Sequence, residues 1–223
     1  NFAFNHPEFT LPQLSSTPEI AATQLAHPLI PSNKNIANDF STSHPEKIIL
    51  ITGSNMSGKS TFLRTVGLNL VLAQAGLPVN AKKMVFHPLH ILTSLKQTDN
   101  LHENVSLFHA ELLRLKSIRE FLKKGELSLV LLDEMLRGTN SEDKLVGSRK
   151  LIEELAEENI FALIASHDLE LGKLEEKYPG KIRNACFESV ITNDELIFDY
   201  QLKKGVARNK NATFLLKKLK VIN

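Results

Sequence analysis

The sequence predicts an α/β fold: a mostly parallel sheet flanked by helices, with a small strand-and-loop segment ahead of it and a β-hairpin plus helix behind. Three observations carry that expectation. Apolar, largely unbroken runs at 47–52, 127–132 and 160–165 have the composition of strands buried on both faces. Between them, 59–74, 106–124 and 142–158 read as helices, and in the second of these Leu107, Phe108, Leu112, Leu115, Ile118 and Leu122 recur at helical spacing. Gly and Pro fall at the junctions, as at Gly76, Pro78 and Gly125, where a helix has to stop.

Taken in order, residues 1–46 are rich in Pro, Ser, Thr and Asn and show no helical period, so they read as loops and short strands packed on the core. Ile30-Pro31 and His44-Pro45 punctuate them. Residues 47–223 form the main domain. Its first strand, 47–52, runs into a Gly-rich turn and the helix at 59–74. Residues 91–95 are a short strand, followed by the helix at 106–124 and the strand at 127–132. The helix at 142–158 leads to the strand at 160–165 and a further helix at 169–177. Residues 185–191 and 195–203 suggest a hairpin turned at Asn193-Asp194, and 212–221 a closing helix.

The totals bound the function. A chain of 223 residues can hold one sizeable core and a small accessory unit. Hydrophobic residues at 42% and charged ones at 23% are ordinary for a globular protein. A net charge of +2 is too small to argue for nucleic acid by bulk attraction. The single cysteine, Cys186, excludes an internal disulfide and fits a reducing, cytoplasmic setting. No apolar run reaches membrane-spanning length, so no membrane contact is expected of this chain. It opens on Asn1 rather than Met, as a piece of a longer protein would.

Gly53-Ser54-Asn55-Met56-Ser57-Gly58-Lys59-Ser60 fits the phosphate-binding loop pattern at every fixed position, between a buried strand and a helix. The glycines let backbone amides turn inward around phosphates, where side chains would collide. Lys59 brings a positive charge to the β- and γ-phosphates, Ser60 a hydroxyl to Mg²⁺, and the following helix its positive end. A P-loop ATPase using ATP and Mg²⁺ is the expectation. The strand at 127–132 ends in Asp133 and Glu134. Beside a phosphate loop, Asp133 is suited to Mg²⁺ and Glu134 to orienting or deprotonating the attacking water. His167 closes the strand at 160–165, where it can hydrogen-bond the γ-phosphate.

These residues carry a family resemblance. The run from Thr52 through Thr61 to Arg64, with its Asn55-Met56 pair, closely resembles the nucleotide loop of the MutS DNA mismatch-repair family. The likeness continues through Asp99-Asn100-Leu101, through Ser106-Leu107-Phe108-His109-Ala110-Glu111 (a Ser-x-Phe-x-x-Glu element), and through Asp133-Glu134-Met135-Leu136-Arg137-Gly138-Thr139 to Ala165-Ser166-His167. His27-Pro28 and Asn38-Asp39 resemble landmarks ahead of the family's ATPase core. The resemblance implies an ABC-type ATPase fold that dimerises around ATP and moves DNA-binding domains, which lie outside this sequence. It also implies that Ser106 reaches the partner's γ-phosphate, that Asn38 and Thr61 belong to the nucleotide site, and that Tyr200 lies against the adenine. Ser54 stands for a common Pro, Ser57 for a common Gly and Leu136 for a common Gly, while Asn35 lies near an aromatic position of some members. These departures bear on subfamily and base selectivity, not on phosphate binding.

Two other readings compete. A transporter's nucleotide-binding subunit shares the general fold, but its Leu-Ser-Gly-Gly-Gln signature is missing where Ser106-Leu107-Phe108 stands. An ATP-binding module without turnover would not need Lys59, Asp133, Glu134 and His167 together. The basic residues Lys203, Lys204, Arg208, Lys210, Lys217, Lys218 and Lys220 read as a solvated face, with phosphate-backbone contact as the sharper alternative. His87, His90, His102 and His109 show no metal-ligand spacing.

Overall fold

The computed structural model describes residues 2–95, 107–192 and 195–208. A one-turn helix α1 (Phe2–Asn5) leads to β1 (Gln13–Leu14), β2 (Glu19–Leu25) and, after a short 3-10 turn, β3 (Asn38–Ser43). Then come β4 (Ile48–Thr52), α2 (Lys59–Gln74), β5 (Lys83–Phe86), β6 (His90–Ser94), α3 (Leu107–Leu122) and β7 (Ser128–Asp133). The order closes with α4 (Ser141–Leu155), β8 (Ile160–Ser166), a 3-10 turn (Leu169–Lys173), α5 (Leu174–Lys177), β9 (Ile182–Thr192) and β10 (Glu195–Lys204).

The strands form two sheets, a four-stranded one ordered β1-β5-β2-β3 and a six-stranded one ordered β10-β9-β4-β8-β7-β6. In the larger sheet β9, β4, β8, β7 and β6 run parallel and β10 returns antiparallel along β9. The larger sheet is thus the mostly parallel one expected, with the expected hairpin along its edge; the smaller sheet is not of that kind. In the smaller sheet β2 runs antiparallel to both β3 and β5, and only β1 and β5 are parallel. In the larger sheet each parallel pair is joined by a long crossover, as parallel pairing requires, and the antiparallel β9 and β10 follow each other directly.

Alternation along the central strands explains both cores. Ile49, Ile51, Leu129, Leu131, Phe161 and Leu163 point to one face, where they pack on Phe62, Leu63, Val66 and Leu70 of α2 and on Ile20, Phe40 and Met84 of the smaller sheet. Their neighbours Ile48, Leu50, Val130, Leu132, Ala162 and Ile164 point to the other face, onto Leu115, Ile118 and Leu122 of α3 and Ile152 and Leu155 of α4. Each fully buried side chain of this size contributes about 1.5–3 kcal/mol by leaving water.

Other differences from expectation are local. A strand at Lys83–Phe86 went unread and pairs with β2, so the smaller sheet draws on residues beyond 46. The helix expected at 169–177 is a 3-10 turn followed by a single α-turn, opened by the Asp168 side chain accepting from the Glu170 amide. Strand β9 starts at Ile182 rather than 185, because Ile182 to Cys186 pair with β4. The helix expected at 142–158 stops at Leu155. Asn193 and Asp194, and the helix expected at 212–221, lie outside the described residues. No helix among the described residues is long and apolar enough to cross a membrane.

Candidate phosphate-binding site

The site is built where β4, β7 and β8 end. Every residue of β4 is buried, so the chain leaves the sheet at Thr52 with little freedom and must turn at once. A side chain at Gly53 would put its Cβ 2.7 Å from the carbonyl oxygen of Phe187 and 2.8 Å from Ser57 Oγ, so only glycine fits. The turn passes through left-handed Met56 (φ 65°) and Gly58 (φ 105°) into α2. Gly58 caps that 16-residue helix without a side-chain bond to its first amides. The N-cap position therefore offers the amides of the first turn no side-chain acceptor, and with the helix dipole they favour an anion.

Lys59 opens the helix and is 4% exposed. Its Nζ donates to the carbonyls of Gly53 and Ser54, each at 2.7 Å. Burial pushes its pKa below the usual lysine value, and the negative charges of Glu134 and Asp133 oppose that shift. Asp133, at the end of β7, is 3% exposed, and neither carboxylate oxygen has a hydrogen-bond partner among the described residues. The hydroxyl of Ser57 is likewise buried and unpartnered. Buried polar atoms are seldom left so, and a buried carboxylate least of all. An oxygen donor of this kind is one that a hard cation takes.

Glu134 turns away from the strand with a left-handed backbone (φ 56°), its amide donating to Ala165 O at 3.0 Å. Its carboxylate lines the pocket and lies 3.7 Å from His167 Nδ1. Leu136 (φ 57°) and Gly138 (φ 90°) repeat the left-handed conformation, which costs a residue with a side chain about 1–2 kcal/mol. Arg137 ties the turn back: Nε donates to Glu134 O at 3.1 Å and Nη2 to Asp133 O at 3.3 Å. Glu111 of α3 accepts from the amides of Leu136 at 2.6 Å and Arg137 at 3.0 Å, one carboxylate oxygen for each.

Away from the carboxylates, a pocket of about 600 Å³ extends from the loop along Ile30, Ile36 and Met56 to Tyr200. That volume suits a small ligand. Tyr200 sits in a bulge of β10 with φ 52°, and its ring packs on Gly58, where a Cβ would lie 3.0 Å from Cδ1. Asn38 lines the same pocket with its amide and carbonyl both bonded to β10. Asn35 also lines it and staples its own loop, bonding the backbone of His27 and Ile30.

The fold thus brings together Gly53, Ser54, Asn55, Met56, Ser57, Gly58, Lys59, Ser60, Thr61, Asp133, Glu134 and His167 beyond the C-terminal ends of β4, β7 and β8, with Asn38 and Tyr200 as one wall. Ser106 and the Asp99-Asn100-Leu101 run lie outside the described residues, as do Lys210, Lys217, Lys218 and Lys220. Lys203 is paired with Asp199 at 2.6 Å. His87 bonds the Ser15 carbonyl and His90 pairs with Glu126. Sequence reasoning passed over Glu111 and Arg137 as site residues. Both stood inside quoted motifs, but an acid within a helix carries no sign that it grips a distant turn.

Comparison with known proteins follows the same residues. The family model described as MutS domain V matches residues 49–218. The human protein named MutS protein homolog 4 is 33% identical over 215 residues, covering 92% of this chain and 22% of that protein. The DNA mismatch repair protein MutS of Thermotoga petrophila is 35% identical over 184 residues, 81% of this chain and 23% of its own. That of Listeria monocytogenes is 33% identical over 211 residues, 91% of this chain and 24% of its own. The chain spans under a quarter of the length of these relatives, and none of the three is named as a transporter subunit.

Proposed function

The chain belongs to the MutS domain V family, and from that premise we propose that it is a P-loop ATPase domain of ABC type that binds and hydrolyses Mg-ATP. The observation that carries this reading is a convergence where β4 and β7 end. The buried cation Lys59 opens a helix that has no capping side chain and feels the charges of Glu134 and Asp133, and the two oxygens of Asp133 have no hydrogen-bond partner among the described residues.

In this reading the amides of the loop and Lys59 hold the β- and γ-phosphates. Asp133 and Ser60 hold Mg²⁺, whose chemistry is to neutralise charge on the phosphate oxygens. Glu134 orients a water and takes its proton as the water oxygen bonds the γ-phosphorus and the bond to the bridging oxygen of ADP breaks. His167, beside Glu134, donates to the γ-phosphate. Tyr200, Ile36 and Met56 form the wall for the adenosine end, with Thr61 and Asn38 at its margins.

Two such chains would close around two ATP molecules, each lending Ser106 to its partner's site, and hydrolysis would reopen them. The motion would be passed to DNA-binding domains of the longer protein, in mismatch repair or recombination.

Lys59→Ala and Glu134→Gln test the reading together. Lys59→Ala should abolish ATP binding in isothermal titration. Glu134→Gln, nearly isosteric but unable to accept the proton, should keep ATP affinity while slowing turnover by about 10²-fold or more. Equal ATP binding by wild type and Lys59→Ala would sink the assignment.

A further inference from the structure

We propose that Glu111 is a positioning residue for hydrolysis: its carboxylate locks the turn at Leu136 and Arg137 and thereby sets where Glu134 points. This rests on reading the pocket as an ATPase site. The argument starts from the backbone. Between Glu134 and Gly138, three residues are left-handed and two of them carry side chains, so the turn does not hold itself. Glu134 is fixed on one side by its amide bond to Ala165. On the other side the fixing bonds are those of Glu111, which gives one oxygen to the Leu136 amide at 2.6 Å and the other to the Arg137 amide at 3.0 Å.

The hold passes on through Arg137. With its amide pinned by Glu111, its guanidinium reaches back to the carbonyls of Glu134 and Asp133. Glu111, Arg137 and the acidic pair therefore form one closed circuit. A second contact comes from the same helix: Phe108 Cβ lies 3.4 Å from where a side chain on Gly138 would begin. Phe108 and Glu111 are three residues apart, hence on one face of α3, and that helix is anchored in the second core by Leu115, Ile118 and Leu122. Two neighbouring amides need two acceptors in a fixed fork, which a carboxylate supplies and an amide side chain cannot. Leu136 sharpens the dependence, since a glycine there would take the left-handed conformation without help.

The test compares Glu111→Gln and Glu111→Ala with wild type, using the whole 223-residue chain. Amide-resolved hydrogen exchange reads the hold directly. Exchange at Leu136 or Arg137 should accelerate about tenfold in the Gln variant, and at both in the Ala variant. Turnover should fall in the same order, by about tenfold for Gln and further for Ala, with ATP affinity within about twofold of wild type. Three results would overturn the proposal: unchanged exchange at both amides, unchanged turnover despite faster exchange, or ATP affinity lost in step with turnover. If wild type neither binds nor hydrolyses ATP, the ATPase reading fails and the exchange data alone decide whether Glu111 holds the turn. If the Ala variant does not fold, the Gln variant carries both readouts.

Discussion

The side chain of Asn38 brackets Tyr200. Its Nδ2 donates to the Tyr200 carbonyl at 3.0 Å and its Oδ1 accepts from the Leu202 amide at 2.6 Å. Both polar ends of one buried side chain are thus spent on the bulge that aims the Tyr200 ring at Gly58. Asn38→Ala should leave two backbone groups without partners and lower the unfolding free energy by about 1–3 kcal/mol, measured by urea denaturation. ATP affinity should weaken with it, because the wall against the adenosine end loosens. Lost stability with unchanged affinity would remove Tyr200 from the nucleotide site.

Asp133 yields a prediction of opposite sign. Its carboxylate is buried with no hydrogen-bond partner among the described residues, a cost to the metal-free fold that stands against its attraction to Lys59. Asp133→Asn should therefore raise the stability of the metal-free chain by about 1–3 kcal/mol while abolishing the dependence of nucleotide binding on Mg²⁺. Thermal unfolding with and without Mg-ATP reads both effects. A destabilised variant would show that Asp133 is a structural acid.

Lys59 makes binding depend on pH. Burial lowers its pKa, whereas a bound triphosphate adds negative charge and raises it. Between those two values, on the alkaline side, ATP binding must take up a proton, so affinity should fall as pH rises through that window. In the ligand-free chain the unfolded state binds more protons than the folded one over the range from the lowered value to 10.5, so stability should rise with pH there. Titration calorimetry in two alkaline buffers of different ionisation enthalpy measures the uptake. Identical apparent enthalpies would mean that Lys59 does not meet the phosphates.

What the sequence made legible follows from how local each signal is. The run Ile48-Ile49-Leu50-Ile51 announces a strand buried on both faces, and the turn after it has few ways to reach a helix at Lys59. That Asp133, Glu134 and His167 close neighbouring strands β7 and β8 was readable because parallel strands end on the same side of a sheet. The smaller sheet was harder. Lys83-Met84-Val85-Phe86 is four residues long, and its partner β2 lies some sixty residues earlier, so no local pattern reveals the pairing. The grip of Glu111 on Leu136 and the bracket of Asn38 around Tyr200 are hydrogen bonds across 25 and 162 residues of chain. Such contacts depend on the fold being complete, and composition and periodicity do not encode them.

The last prediction concerns Ser106, which lies just ahead of α3 and some fifty residues along the chain from Lys59. If Ser106 completes the ATP site of a second copy, hydrolysis should rise more steeply than linearly with protein concentration until dimers saturate. Ser106→Ala should then lower turnover with little loss of ATP affinity, since the phosphate loop of that chain is intact. Lys59→Ala should lose binding and yet still be able to donate a normal Ser106. Mixing the two variants assembles one complete site in each mixed dimer, from the loop of one chain and the serine of the other. The mixture should recover activity that neither variant shows alone, approaching about a quarter of wild type if pairing is random, because half the dimers then carry one working site of two. Native mass spectrometry would confirm that mixed dimers form. Mixed dimers without recovered hydrolysis would place Ser106 outside the partner's site and leave each chain to work alone.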